Sequence, residues 1–285
     1  MKWNRWRDVS EAGRFDAVFV NRDLAGGGLV FEKRLLSRNS RVIFDFDDAI
    51  FVGPNEAAVS WMCAHAAWVT PGNEYLADFA RRFTSNVTVI PTIIDTARYS
   101  IFPLRPAGSP VRVGWSGSDQ SITAALFPFL PVLEALQRRL GFEFVVVTNT
   151  RPVLPVPGLS FTFVPWKAEE EGELGRHMDV GLMPLVDDAF QRGKCGLKLL
   201  QYMAAGLPTV ASPVGVNATI TVPGETGFLA STDNEWAAAL EALVRSDTLR
   251  RTMGQAGRRR CEEHYSIKSW LPTLLETLDR IRSAA

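Results

Sequence analysis

The chain has 285 residues and a mass of 31.5 kDa, which suits one large domain or two modest ones. Hydrophobic residues make up 46% and charged residues 22%, a balance that excludes long disorder. Thirty-one basic side chains offset thirty-one acidic ones, so the basic excess of a non-specific nucleic-acid binder is absent.

The first sixteen residues, MKWNRWRDVSEAGRFD, are charged and lack the apolar core of a signal peptide. An α/β alternation follows. Residues 15–21 read as a buried strand, and Gly26-Gly27-Gly28 opens a segment that is helical through Leu36. Residues 41–47 form a second strand, 56–66 a small-residue helix, and 68–70 a short strand. Asn73 is placed as N-cap of a helix over 74–83, and 87–90 makes another strand. The proline-rich, aperiodic stretch 90–110 is the linker, with the boundary near 104–110.

A second series starts at the strand 111–115, whose following turn carries Gly117. A helix over 127–140 and strands at 142–148, 161–164 and 180–185 come next. The apolar stretch 124–136 holds Pro128 and Pro131 and is too short and broken to cross a bilayer. A helix over 197–205 stops at Gly206-Leu207-Pro208, and a strand spans 209–212. Asp233 is placed as N-cap of an amphipathic helix to Arg245, and two further helices end the chain. Cys63, Cys195 and Cys261 lie far apart without a CxxC pair, which suits a reducing compartment and argues against structural zinc.

The most informative stretch is 179–215, DVGLMPLVDDAFQRGKCGLKLLQYMAAGLPTVASPVG. A polar loop with Gly193, Lys194, Gly196 and Lys198 enters a helix, whose free N–H groups and positive dipole end make an anion site. Lys194 and Lys198 share one side of the entry turn if that turn is already helical. A pyrophosphate fits this pattern. Two solvated surface lysines beside a turn fit it as well.

The run 198–215 followed by GETGFL at 224–229 resembles the donor-binding half of retaining glycosyltransferases of the GT-B fold, in the family-4 style. Trp115-Ser116-Gly117-Ser118, Val89-Ile90-Pro91 with Asp95 and Tyr99, and the stretch from Met253-Gly254 to Tyr265-Ser266 resemble further parts of it, in order. The resemblance implies two Rossmann-like domains facing across a cleft, with the amino-terminal one reduced. Residues 1–105 form the acceptor side, 106–265 the nucleotide-sugar side, and 266–285 a helix that crosses back. It implies a transferase moving a sugar from a nucleotide-diphosphate donor to a hydroxyl of a carbohydrate or lipid-linked acceptor, with retention and without metal or other cofactor.

By the same resemblance Lys198 and Lys194 carry catalysis, and Asp47 joins them as an acceptor-directed carboxylate read from the acidic end of the second strand. Ser116, Gly117, Ser118, Trp166, Gly193, Cys195, Gly196 and Gln201 bind the donor. The family usually has glutamates where Gly193 and Gln201 stand; Gln201 can still reach a ribose hydroxyl, but Gly193 supplies no carboxylate. A catalytically impaired binding module, or a half-enzyme needing a partner, is the alternative.

Asp45, Asp47 and Asp48 close the second strand. They read as acceptor-orienting groups, or as a metal-binding DxD, or as caps and ion pairs. Arg22 and Asp23 close the first strand and read either as similar cleft groups or as caps and ion pairs, so Arg22, Asp23 and Asp48 are assigned to the acceptor side. His65 reads as a satisfied, half-buried histidine. Trp166 either stacks on the base or belongs to the core. The expected location is the cytoplasm with peripheral membrane contact allowed, and a homo-oligomer would complete the short amino-terminal sheet.

Overall fold

The structure, a computed structural model, describes residues 2–22, 28–103, 105, 106 and 108–283. Asp23, Gly26 and Gly27 lie outside these residues. The chain divides into two compact units. The first takes in Met1–Thr92, Asp188–Cys195 and Trp270–Ala285, and the second Ile93–Asp187 and Gly196–Ser269. The division falls early in the proline-rich stretch 90–110, before the expected boundary near 104–110, because the backbone is already anchored in the second unit at Ile94, whose N–H donates to Tyr265 O at 2.8 Å.

The first unit is built on a parallel sheet in the order β1 (Val18–Asn21), β2 (Val42–Phe46) and β3 (Trp68–Pro71). Alternation along β2 puts Val42, Phe44 and Phe46 into one core cluster with Val20, Val69, Met62 and Leu76. The stretch expected as a fourth strand, 87–90, makes only a bridge from Val87 to Val69 and bonds from Thr88 and Ile90 to β3. Asn73 does cap the helix Glu74–Ala80, its side-chain oxygen accepting from Leu76 N at 2.9 Å. A helix at Lys2–Glu11 escapes the sequence reading because its polar surface hides the buried Val9. Trp6 from this helix lies 4.7 Å from the Phe31 ring. His65 is exposed, not half-buried, and its ring stacks 4.2 Å from that of Trp61.

The second unit carries a six-stranded parallel sheet in the order β6 (Thr162–Pro165), β5 (Glu143–Thr148), β4 (Arg112–Ser116), β7 (Val180–Met183), β8 (Thr209–Ala211) and β9 (Gly227–Leu229). Its four central strands, β5, β4, β7 and β8, bury both faces. Phe144, Val146, Val180, Leu182 and Val210 point to a cluster with the helices Leu130–Leu140 and Asp233–Arg245. Val145, Val147, Met183 and Ala211 point the other way, to the helix Leu197–Ala204 and to Cys261. This two-sided burial explains the nearly unbroken apolar runs. The cap of the helix Asp233–Arg245 is Thr232, not Asp233. Thr232 and Glu235 form a reciprocal capping box, leaving Asp233 as a first-turn acid against the helix dipole.

The last helix, Ile267–Ser283, counts with the first unit from Trp270 onward. Thr277 and Ile281 are buried on it, whereas Leu271 and Leu275 are exposed. Among the described residues no helix is long and apolar enough to cross a membrane.

Gly206 ends the helix Leu197–Ala204 with φ of +71°, and the helix Asp247–His264 crosses this turn at Gly254. A Cβ on Gly254 would stand 2.0 Å from Gly206 O, a backbone atom that cannot swing away. Gly254→Ala is therefore expected to destabilise the protein by about 1–3 kcal/mol, read from urea denaturation. An unchanged midpoint would show that helix and turn separate without cost.

Candidate functional site

In the second unit the candidate residues gather at the carboxyl ends of the strands, where open parallel sheets receive ligands. Ser116 ends β4, Gly117 follows, and Ser118 caps the next short turn by accepting from Ser121 N. Lys198, in the first turn of Leu197–Ala204, lies along this loop. Its Nζ sits 5.4 Å from the Trp115 ring centroid, and a Cβ on Gly117 would come within 2.7 Å of its Cε. Glycine at 117 is thus what lets the lysine arm pass so close to the backbone.

Lys198 and Lys194 do not share a helical turn. Gly196 adopts φ of +72° and is the N-cap, so helix begins only at Leu197. Lys194 instead follows the short helix Ala189–Arg192, its N–H donating to Gln191 O at 3.1 Å.

Tyr202 is the group that sequence reasoning missed. It is wholly buried, its hydroxyl accepts from Ser116 N at 2.8 Å, and burial pushes its phenol well above the usual range. An apolar-looking helix face gives no sign of this contact. Glu171 was missed too, hidden in the acidic run 169–171. Its carboxylate accepts from Gln201 Nε2 at 2.6 Å. Burial, then the Glu171 charge, raise the neighbouring Tyr99 phenol to about 12. Trp166 follows β6 with 39% of its surface exposed and lines a small cleft with Glu171 and His177. Burial lowers the His177 pKa, which favours the neutral ring.

Asp119 braces the same rim from below. It accepts from Thr148 Oγ1 at 2.8 Å and from Thr150 Oγ1 at 2.9 Å, and these bonds hold its pKa below the usual 3.8.

In the first unit, Arg22 directly follows β1 with φ of +65°, a strained backbone for a residue with a side chain. Its N–H donates to Asp45 O at 2.8 Å. Its guanidinium donates to Asp47 Oδ1 at 2.8 and 3.0 Å and to Asp48 Oδ2 at 2.7 Å. Asp45 takes different partners, accepting from Asn21 Nδ2 at 2.7 Å and Thr70 Oγ1 at 2.8 Å, and burial raises its pKa. Among the described residues no group of three or more His, Cys, Asp or Glu is arranged to hold a metal ion.

The segment Asp188–Cys195 belongs to this unit. Lys194 Nζ lies 3.6 Å from Asp48 Oδ1 and 5.0 Å from the Phe190 ring centroid. Asn73 Nδ2 donates to Gly193 O at 3.0 Å and to Cys195 Sγ at 3.3 Å. Gly193 presses on Ala49, where a Cβ would stand 2.7 Å from the Ala49 nitrogen. Cys195 joins the core, and burial, then the Asp47 charge, push its thiol to about 12.

Residues 123–246 match the family model described as Glycosyl transferases group 1. A stretch of 128 residues is 33% identical to the D-inositol 3-phosphate glycosyltransferase of Rhodococcus erythropolis, covering 44% of this chain and 27% of that relative. Sucrose-phosphate synthase from Thermosynechococcus elongatus superposes on 100% of this chain and 78% of its own, with a TM-score of 0.76 at 17% identity. Anabaena HepE, solved with UDP and glucose, superposes on 97% of this chain and 81% of its own, with a TM-score of 0.73 at 14% identity.

Two expectations check this geometry. Tyr202→Phe strands the buried Ser116 N–H and is expected to cost about 1–3 kcal/mol in denaturant unfolding. Because the Asp119 pKa is depressed on folding, its stabilisation is full above 3.8 and lost as pH falls through the lower folded value. The stability advantage of the wild type over Asp119→Asn is therefore expected to shrink in acid denaturation below that pH. Residues 123–246 thus resemble the group 1 glycosyl transferases, and the α/β fold of parallel sheets matches that of the solved sucrose-phosphate synthase and HepE.

Proposed function

We propose that this protein is a glycosyltransferase that moves a sugar, with retention, from a nucleotide-diphosphate sugar to a hydroxyl of a carbohydrate or lipid-linked acceptor. The observation that carries this reading is Lys198 laid along the Ser116–Ser118 loop at the start of a helix. A cation and a helix amino end converge there on one loop, the arrangement needed to stabilise a departing diphosphate. The group 1 match and the UDP and glucose bound by HepE support it.

Ser116, Gly117, Ser118, Gly196 and Trp166 then form the donor side, and Gln201 with Glu171 presents a carboxylate–amide pair to the donor. Arg22, Asp47 and Asp48 orient the acceptor on the first unit, with Asp47, at 47% side-chain exposure, the carboxylate open to a hydroxyl. Lys194, whose charge faces Asp48, acts by positioning. The reaction uses no metal, and the protein works in the cytoplasm or attached to its membrane face.

A second reading has a specific observation behind it. Gly193 has no room for the carboxylate that the resemblance expects there, which favours a nucleotide-sugar-binding module without turnover. Donor hydrolysis measured across nucleotide sugars separates the two. Turnover supports the enzyme, and saturable binding without turnover supports the module.

Lys198→Ala is expected to weaken nucleoside-diphosphate binding by about 1.5–3 kcal/mol, roughly 10- to 150-fold in calorimetry. Unchanged affinity in a folded variant removes Lys198 from the site. Excess chelator is expected to leave turnover unchanged; loss restored by manganese would return Asp45 and Asp47 to a metal role.

A further inference from the structure

A cavity of about 690 Å³ opens in the second unit at the end of the sheet opposite to the Ser116–Ser118 loop. Met178 and Asp179 line it just before β7, and Gly206, Leu207 and Pro208 line it just before β8. These are the amino ends of parallel strands, whereas the proposed donor site lies at the carboxyl ends. The volume falls within the usual range for small-molecule sites, roughly 300–1,000 Å³.

Its lining is of two chemical kinds. Ile101, Phe102, Met178, Leu207 and Pro208 are apolar. The charged part comes from the first turns of the helix Asp247–His264 and from Arg105. Both carboxylates that line the cavity are already compensated. Arg112 binds Asp179 through its Nη2 at 2.7 Å and its backbone N at 2.8 Å, and Arg250 pairs with Asp247. Arg105 keeps a longer contact with Glu143 at 3.3 Å. Arg251 is exposed and, among the described residues, has no ion pair. The amino end of an 18-residue helix adds its positive dipole to the same lining. The surplus charge is positive, and it shares the cavity with apolar side chains of which Ile101 is 60% exposed.

We propose that this cavity is a second ligand site, for a small amphipathic organic anion. The aromatic or alkyl body lies on Ile101, Phe102 and Leu207, and the acidic group sits on Arg251 and Arg105. Such a ligand binds without entering the nucleotide site.

Titration of the full chain with 8-anilinonaphthalene-1-sulfonate, followed by fluorescence and calorimetry, tests this. One saturable site is expected, and UDP at saturating concentration is expected not to displace the probe. Arg251→Glu and Ile101→Asp alter exposed side chains and are expected to weaken the probe by about tenfold or more while leaving thermal unfolding unchanged. Lys198→Ala is expected to bind it like the wild type. Absence of saturable binding, displacement by UDP, or equal affinity in folded Arg251→Glu and Ile101→Asp variants would each overturn the proposal.

Discussion

The second unit depends on a contact that only a glycine allows. A Cβ on Gly181, in β7, would stand 2.4 Å from the Tyr202 ring, so the ring lies flush on the centre of the sheet. From there the phenol oxygen reaches Ser116 N at the end of β4. One side chain thereby fixes the helix Leu197–Ala204 against two neighbouring strands, by packing on one and by a buried hydrogen bond to the other. Lys198 sits one helical turn before Tyr202, and its path along Gly117 follows from this docking. The position of the proposed phosphate-binding charge is thus set by an aromatic residue that never meets solvent.

In the first unit the governing element is charge held under backbone strain. A left-handed residue with a side chain costs of order 1–2 kcal/mol and persists only where its surroundings bind it firmly. Arg22 is bound in that way, by Asp45 through its backbone and by Asp47 and Asp48 through its guanidinium. The three acids therefore divide their work. Asp45 is buried among hydrogen-bond donors, Asp48 lies between two cations, and Asp47 keeps half of its surface open. Asp45 and Asp47, adjacent on one face in sequence, take different partners within the unit.

Much of the fold is legible from residue pattern. The apolar runs of the second sheet, the stop at Gly206 and the cap at Asn73 all follow from local chemistry, because burial on both faces and capping act over a few neighbouring residues. What local pattern does not show is which distant groups meet. Nothing in the helix sequence reveals that Tyr202 bonds Ser116, or that Glu171 reaches Gln201. Periodicity also misleads at Lys194 and Lys198, since the left-handed backbone of Gly196 resets the phase between them. Asp233 and Thr232 differ for a similar reason. Both can cap, and only the reciprocal bond from Glu235 decides between them.

Position 193 shows how packing narrows chemistry. The Ala49 nitrogen and Cβ crowd the space where a side chain would begin, and Asn73 holds the adjacent carbonyls of Gly193 and Lys194. A glutamate there would have to displace backbone, so the absence of a carboxylate at 193 is built into the first unit. In the second unit a carboxylate stands at another place. Glu171 projects from the turn Ala168–Glu173 onto Gln201, giving that amide a charged acceptor beside the exposed face of Trp166. An amide bonded to a carboxylate presents donor and acceptor atoms in a fixed direction, which a lone glutamine does not. The absence of one acid and the support of another thus arise from separate packing constraints, one in each unit.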